Sequence, residues 1–317
     1  MKCFNFIKLM LVTALISGGS IFVSARDYVY LSENGSDENN GASFEQAYAT
    51  FSKAMEVVSG GGTIYVKGMI NIYNDPANTS FDANLADTKT GFVLTKSLTI
   101  RGESKETCGF TGETDDVYVY EPFPGVFPPE YHKMGTRFFR ANAGIELTLK
   151  DLTFTKAYGR HQGIAIMLGG GKLIGEDLIF LDNEAITGSD NGMGAAIFSG
   201  ASTGIYVKNS LFRGNKSPKG GAIYIADTAN PNVNITFESC SFIENGQNES
   251  ANPTAGAIFL RLTSTDGVGA TNNKINLINC TFAKNTTKAI GGAVQLYGVP
   301  ASTIFSVINC TFTDNTS

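Results

Sequence analysis

The residues best equipped for chemistry crowd into one interruption, from Thr107 to Asn142. It carries Asp115, Asp116, Glu121, Glu130, His132, Lys133, Arg137 and Arg140, set among Tyr118, Tyr120, Phe123, Phe127 and Tyr131. Pro122, Pro124, Pro128 and Pro129 mark it as loop, since proline fixes φ and removes a main-chain donor. Tyr158-Gly159-Arg160-His161 follows and could face the same side. A base such as Lys133 or Arg160, with His161 beside it and carboxylates holding Ca²⁺ against a sugar acid, would be a polysaccharide lyase site.

The same loop also reads as a cover, with its aromatics packed on a sheet and its charges in water. A Ca²⁺ site for sugar acids should repeat a carboxylate at one slot on successive coils. Only Asp151 and Asp177 do so, and the next copies have Asn209 and Ser239. The expectation is therefore no catalytic residue, no metal and no cofactor. Lys133, Arg160 and His161, with Ca²⁺, are held for the lyase alternative. The only histidines are His132 and His161, and neither has ligand spacing to a cysteine.

What would position these residues is a repeat. Phe-x-x-Asn recurs at Phe180/Asn183, Phe212/Asn215, Phe242/Asn245, Phe282/Asn285 and Phe312/Asn315. Small-residue steps run ahead of these: Gly194-Ala-Ala-Ile197, Gly220-Gly-Ala-Ile223, Ala255-Gly-Ala-Ile258 and Gly291-Gly-Ala-Val294. A period of roughly 30 to 40 residues of strand-like sequence means stacked coils rather than one globular core.

Within a copy the apolar residues alternate, as in Ile235-Thr-Phe237 or Ile275-Asn-Leu277. The phase then slips by one at a mostly polar pair such as Lys150-Asp151, Lys208-Asn209 or Glu238-Ser239, and alternation resumes. A slip at a fixed place is a corner between two strands that share one core. The Gly-Ala-Ile segments are assigned to the remaining strand of the coil. The pattern predicts a right-handed parallel β-helix of about eight coils, roughly 40 Å long at the usual strand spacing. The repeat Asn is expected to form a ladder, its side chain bonding the turn and the next coil. Insertions at Asp227–Asn232 and Thr263–Asn273 are expected to be surface loops.

Cys240, Cys280 and Cys310 each stand two residues before the repeat Phe, where earlier copies have Leu152, Leu178 and Ser210. A slot that takes Leu, Cys or Ser is a small packing position, so these cysteines are expected as free, buried thiols in a column rather than disulfides. Sequons at Asn215, Asn234, Asn285 and Asn309 are explained by the repeat, with its turn Asn beside strand Thr or Ser.

The first 25 residues resemble an export signal. Lys2 and Lys8 are followed by an apolar run over Leu9–Ile16, and Val23-Ser-Ala25 offers small residues for cleavage. The formal net charge of −5 and the lack of a basic block argue against a nucleic-acid partner. No later stretch is long and apolar enough for a membrane helix. The localisation expected is extracellular or on a bacterial outer membrane surface, with glycans or proteins as partners.

After the signal, Asp27–Gly41 leads to an amphipathic stretch with Ala47, Phe51, Ala54, Val57 and Val58, then Gly60-Gly-Gly62 and the strand Thr63-Ile-Tyr-Val66. This unit resembles the opening of secreted right-handed parallel β-helix proteins, some polysaccharide lyases among them. The resemblance implies that residues 26–62 form an N-terminal cap whose helix closes the rod. The Gly-Gly-Ala-Ile and Phe-x-x-Asn repeats of about residues 190–315 resemble those of chlamydial polymorphic outer membrane proteins, which implies a surface or secreted, often adhesive, passenger. The likeness departs in one respect: the chain stops at Asn315-Thr-Ser317, with no membrane barrel or sorting segment after it. Either the sequence is a fragment, or a partner protects its last coil. The domain reading is thus 1–25 signal, 26–62 cap, and 63–317 β-helix, interrupted at about 107–137 and uncapped at its end. The functional expectation is a non-enzymatic adhesion or interaction module, with a carbohydrate-active enzyme as the alternative.

Overall fold

The computed structural model describes residues 25–82, 85–120, 130–186, 192–200, 204–226, 232–246, 254–262 and 272–317. The export segment lies outside these residues, as do most of the two insertions. Strands stack into three parallel sheets around a continuous apolar core. The first sheet runs Arg26–Ser32, Val58–Lys67, Leu98–Gly102, Glu146–Thr155, Lys172–Leu181, Gly204–Lys208, Asn234–Glu238, Lys274–Ile278 and Ile304–Ile308. The second runs from Met69–Asn71 and Gly109–Thr111 through the far halves of Glu146–Thr155 and Lys172–Leu181. It continues with Leu211–Arg213, Ser241–Ile243, Thr281–Ala283 and Thr311–Thr313. The third runs Phe92–Leu94, Phe139–Asn142, Ile166–Gly169, Ile197–Gly200, Ile223–Ala226, Ile258–Arg261 and Val294–Tyr297. The chain visits the sheets in the same cyclic order, so it is a parallel β-helix. Parallel crossovers are right-handed almost without exception.

Two tight turns set each coil, and both need a left-handed residue. The phase slip is a corner of one such residue: Asp151, Asp177, Asn209, Ser239, Asn279 and Asn309 all have φ of 50–54°. Asp and Asn tolerate that region better than most residues. In the second turn the left-handed residue is not the repeat Asn, as its turn-forming character suggested, but the one before it: Asp182, Gly214, Glu244, Lys284 and Asp314. That arrangement frees the Asn side chain to point inward.

The ladder then forms as the repeat implied. Asn245 donates from Nδ2 to the Phe212 carbonyl at 2.9 Å and to Asn285 Oδ1 at 3.0 Å. Its own Oδ1 accepts from the main-chain N–H and Nδ2 of Asn215, at 3.1 and 3.0 Å. Asn183, Asn215 and Asn285 repeat the pattern, and all four are fully buried. Beside them the rings of Phe154, Phe180, Phe212, Phe242, Phe282 and Phe312 stack at centroid spacings of 4.7–5.0 Å. That interval is the strand spacing itself.

The Gly-Ala steps form turns rather than strands. Their strands begin at Ile197, Ile223, Ile258 and Val294. Gly194 and Gly220 take φ of 59° and 61°, and a Cβ there would lie 2.2 and 2.3 Å from the Ile197 and Ile223 carbonyl oxygens. The cysteine slot is a hydrogen-bonding corner rather than simple packing. Ser210 Oγ donates to the Lys208 carbonyl at 2.7 Å and accepts from the Leu178 N–H at 3.1 Å. Cys280 repeats this with sulfur, its thiol facing the Phe237 and Ile278 carbonyls at 3.4 and 3.3 Å. Cys108, Cys240, Cys280 and Cys310 are all free.

At the N-terminal end the strand Arg26–Ser32 is itself a rung, parallel to Val58–Lys67. Its outer edge is closed by the chain that follows: Tyr48 N–H donates to the Tyr30 carbonyl and Ser32 N–H to the Tyr48 carbonyl, both at 2.9 Å. The helix Phe51–Val57 is capped by Thr50, whose side chain accepts from the Lys53 N–H. It buries Phe51, Ala54 and Val57 over the bore, and the Phe51 ring lies 4.6 Å from that of Phe139 and 5.2 Å from that of Phe92. No helix among the described residues is long and apolar enough to cross a membrane.

Candidate binding site

The described parts of the 107–142 interruption contain strands on either side of its prolines, and Pro122, Pro124, Pro128 and Pro129 themselves lie outside the described residues. Gly109–Thr111 is a rung of the second sheet, and Phe139–Asn142 a rung of the third. Between them Val117–Tyr120 and Glu130–Lys133 pair as an antiparallel hairpin. Residues 121–129 lie outside the described residues, and with them Glu121, Phe123 and Phe127.

Alternation along Phe139–Asn142 buries Phe139 and Ala141 and turns Arg140 outward. Register places Arg140 between Val93 on one neighbouring rung and Met167 on the other. The turns entering these rungs add Arg137 and His161, 7 % and 3 % exposed, with Thr90 and Gln162 beside them. Together these side chains line a hollow of about 370 Å³ on the outside of the third sheet. Arg137 is braced by an Nη2 bond to the Gln162 carbonyl at 3.1 Å, and Arg140 by an Nε bond to Asn142 Oδ1 at 2.9 Å. Two guanidinium groups and an imidazole meet there, and no carboxylate lines the hollow among the described residues. Such a site can hold an oxyanion by charge-assisted, bidentate hydrogen bonds.

Of the three residues singled out for lyase chemistry, only His161 lines this hollow. Lys133 lies over the Tyr158 ring, 4.4 Å from its centroid. Arg160 donates its main-chain N–H to Thr88 Oγ1 at 3.4 Å. Arg137 and Arg140 had figured only in the inventory of a charged loop. The alternation Phe139-Arg-Ala141 was the signal that would have turned Arg140 outward from a coil.

Four of the described acidic groups are engaged elsewhere. Asp151 pairs with Arg101 and Asp177 with Lys105, each at 3.4 Å. Glu176 bridges Lys208 at 2.6 Å and Lys150 at 2.9 Å, and these hydrogen bonds hold its carboxyl below its ordinary pKa. Asp116 accepts from the Tyr73 hydroxyl at 2.9 Å; burial first, then this bond, pushes the Tyr73 phenol up to about 12. Lys89 packs over the same ring and donates to the Tyr73 carbonyl at 2.7 Å, its pKa lowered by burial. This cluster holds Asp116, just ahead of the hairpin, to the early coils. Among the described residues no group of three or more His, Cys, Asp and Glu side chains could hold a metal ion.

No family model matches the chain, and no curated protein matches its sequence. One solved structure, described as "Rhamnogalacturonan lyase", is similar at 15 % identity and a TM-score of 0.40, over 89 % of this chain and 56 % of that one. The chain thus spans little more than half the length of that neighbour, and a likeness at this level carries nothing about substrate or chemistry.

Proposed function

We propose that this protein is an exported β-helix that works as an interaction module at the cell surface, holding an anionic saccharide at the Arg137–Arg140–His161 hollow without cleaving it. One observation carries the reading: Arg137 and Arg140 converge on the hollow with His161, while Asp151, Asp177 and Glu176, among the described acids, are paired elsewhere on the rod. The apolar, lysine-led first 25 residues support export, and the likeness of the Gly-Gly-Ala-Ile and Phe-x-x-Asn repeats to those of surface proteins supports display.

The test is a glycan array followed by calorimetry on residues 26–317. Carboxylated or sulfated oligosaccharides should bind, and neutral ones should not. Loss of one charge-assisted contact costs about 1.5–3 kcal/mol, so Arg140→Ala should weaken binding by about 10- to 100-fold. The reading fails if no anionic glycan binds. It also fails if unsaturated products accumulate in ultraviolet absorbance and Lys133→Ala or Arg160→Ala abolishes them; the enzyme alternative then takes its place.

A further inference from the structure

The outer face of the second sheet carries apolar side chains at positions that a solvated face fills with polar ones. Ile179, Leu181, Leu211 and Ile243 point outward from Lys172–Leu181, Leu211–Arg213 and Ser241–Ile243, each half-buried. They are contiguous: Ile179 is in register with Leu211, and Leu181 and Ile243 flank Arg213. The small residues Ser241, Thr281 and Ala283 continue the same two columns. Beside this face, along the second turn, run Asp182, Gly214, Glu244 and Lys284. Glu244 pairs with Arg213 at 3.2 Å, whereas Asp182 and Lys284 are exposed and, among the described residues, in no ion pair.

Reversed, this column of charge is its own complement. Two copies can lie face to face with their rods antiparallel, related by a two-fold axis midway between the Gly214 and Glu244 rungs. Asp182 of each copy then stands opposite Lys284 of the other, and Gly214 opposite Glu244. The same axis sets large side chains against small ones: Leu181 meets Ala283, Leu211 meets Ser241, and Ile179 meets Thr281. Ile243 meets the stem of Arg213. Sheets pack face to face, about 10 Å apart, by interdigitation of this kind. Neighbouring registers are disfavoured by like charges. An axis moved to the Gly214 rung sets Asp182 against Glu244, and one moved to the Glu244 rung sets that carboxylate against itself. With the rods parallel, Asp177 would meet Asp182. We infer that the outer face of the second sheet is a self-association surface, on which a second copy of this chain docks antiparallel.

Sedimentation equilibrium of the purified chain should show a reversible monomer–dimer equilibrium. Leu211→Asp, with circular dichroism unchanged, should weaken the dimer by at least about ten-fold. Lys284→Asp should do the same, because it sets like charges against each other at both ends of the contact. Adding Asp182→Lys to Lys284→Asp should restore association to the wild-type level. Both positions suit the exchange, since this left-handed turn already holds Asp182 at φ 52° and Lys284 at φ 55°. The proposal is overturned if the chain is still monomeric at about 1 mM. It is also overturned if the dimer survives Leu211→Asp, or if the charge-exchanged double variant associates no better than Lys284→Asp alone.

Discussion

Replacing Asn245 by Leu tests the ladder where it is most committed. Asn245 is fully buried, and its side chain takes part in four hydrogen bonds: to the Phe212 carbonyl, to Asn285 Oδ1, and from the N–H and Nδ2 of Asn215. Asn285 Oδ1 keeps the Asn245 main-chain N–H, and Asn215 Nδ2 keeps the Phe180 carbonyl, so both retain a partner. The Asn215 N–H loses its partner in a dry turn, whereas the Phe212 carbonyl keeps the strand bond that its register beside Ile243 supplies. At about 1–3 kcal/mol for a buried group left without its bond, the loss is about 1–3 kcal/mol. Leu cannot offset much of it, because the turn is tight and already packed. Asn315→Leu is the internal control. Its side chain is half-buried and sits on the outermost coil, so the loss there should be at most about 1 kcal/mol. Urea unfolding followed by circular dichroism reads the difference. Equal midpoints for the two variants, or an Asn245→Leu midpoint equal to wild type, would refute the reasoning.

Five further outcomes are expected. Phe180→Ala removes a fully buried ring stacked 5.0 and 4.9 Å from its neighbours and should cost about 3–5 kcal/mol of unfolding free energy. Cys240 should resist alkylation in the folded chain, since its hydrogen bond with Cys280 and its burial both raise its pKa; the same hydrogen bond lowers the Cys280 pKa to about 7, so Cys280 is shielded by its burial alone, and non-reducing mass spectrometry that finds a Cys240–Cys280 bridge would contradict both. Cys240→Ser should shift stability by less than about 1 kcal/mol, because Ser210 already fills the same hydrogen-bonding slot. Two pH effects have opposite signs. The lowered Glu176 pKa contributes stability above the ordinary carboxylate value that is lost as pH falls through the folded one, so Glu176→Gln should flatten the acid limb of a melting-temperature profile. The raised Tyr73 pKa contributes stability below about 10 that is lost as pH rises through about 12, and Tyr73→Phe should remove that alkaline loss.

The coil was legible because its causes are local. The slip at Lys208-Asn209 is one left-handed residue, and a single residue in that region leaves a mark on alternation that can be read by eye. Which residue carries the second turn was not legible. Asn and the residue before it both suit a turn, and only the inward aim of Asn215 assigns the left-handed φ to Gly214. The cysteine slot looked apolar because Leu occupies it early, yet Ser210 was the better guide to its chemistry. The hollow was hardest. Arg137, Arg140 and His161 are separated in sequence and meet only because one coil, through Glu146–Thr155, brings His161 back beside Arg140.

Successive ladder asparagines are separated by 32, 30, 40 and 30 residues. From the left-handed corner to the ladder the count never changes: Asn209 to Asn215 and Asn279 to Asn285 are the same six steps. Every added residue has therefore entered on the two flanks of the third sheet, where Ile223–Ala226 and Ile258–Arg261 lie. The rod thus separates what must stay constant from what is free to diversify. Two of its corners work as a ruler, and the third side as a rack on which loops of any length can be hung. For an engineer this means that a foreign recognition segment grafted between Gly246 and Ala255 should leave the stacking of Phe212, Phe242 and Phe282 unaltered. One residue added between the corner at Asn279 and the ladder at Asn285 would instead take Phe282 or Asn285 out of register with the coils on either side.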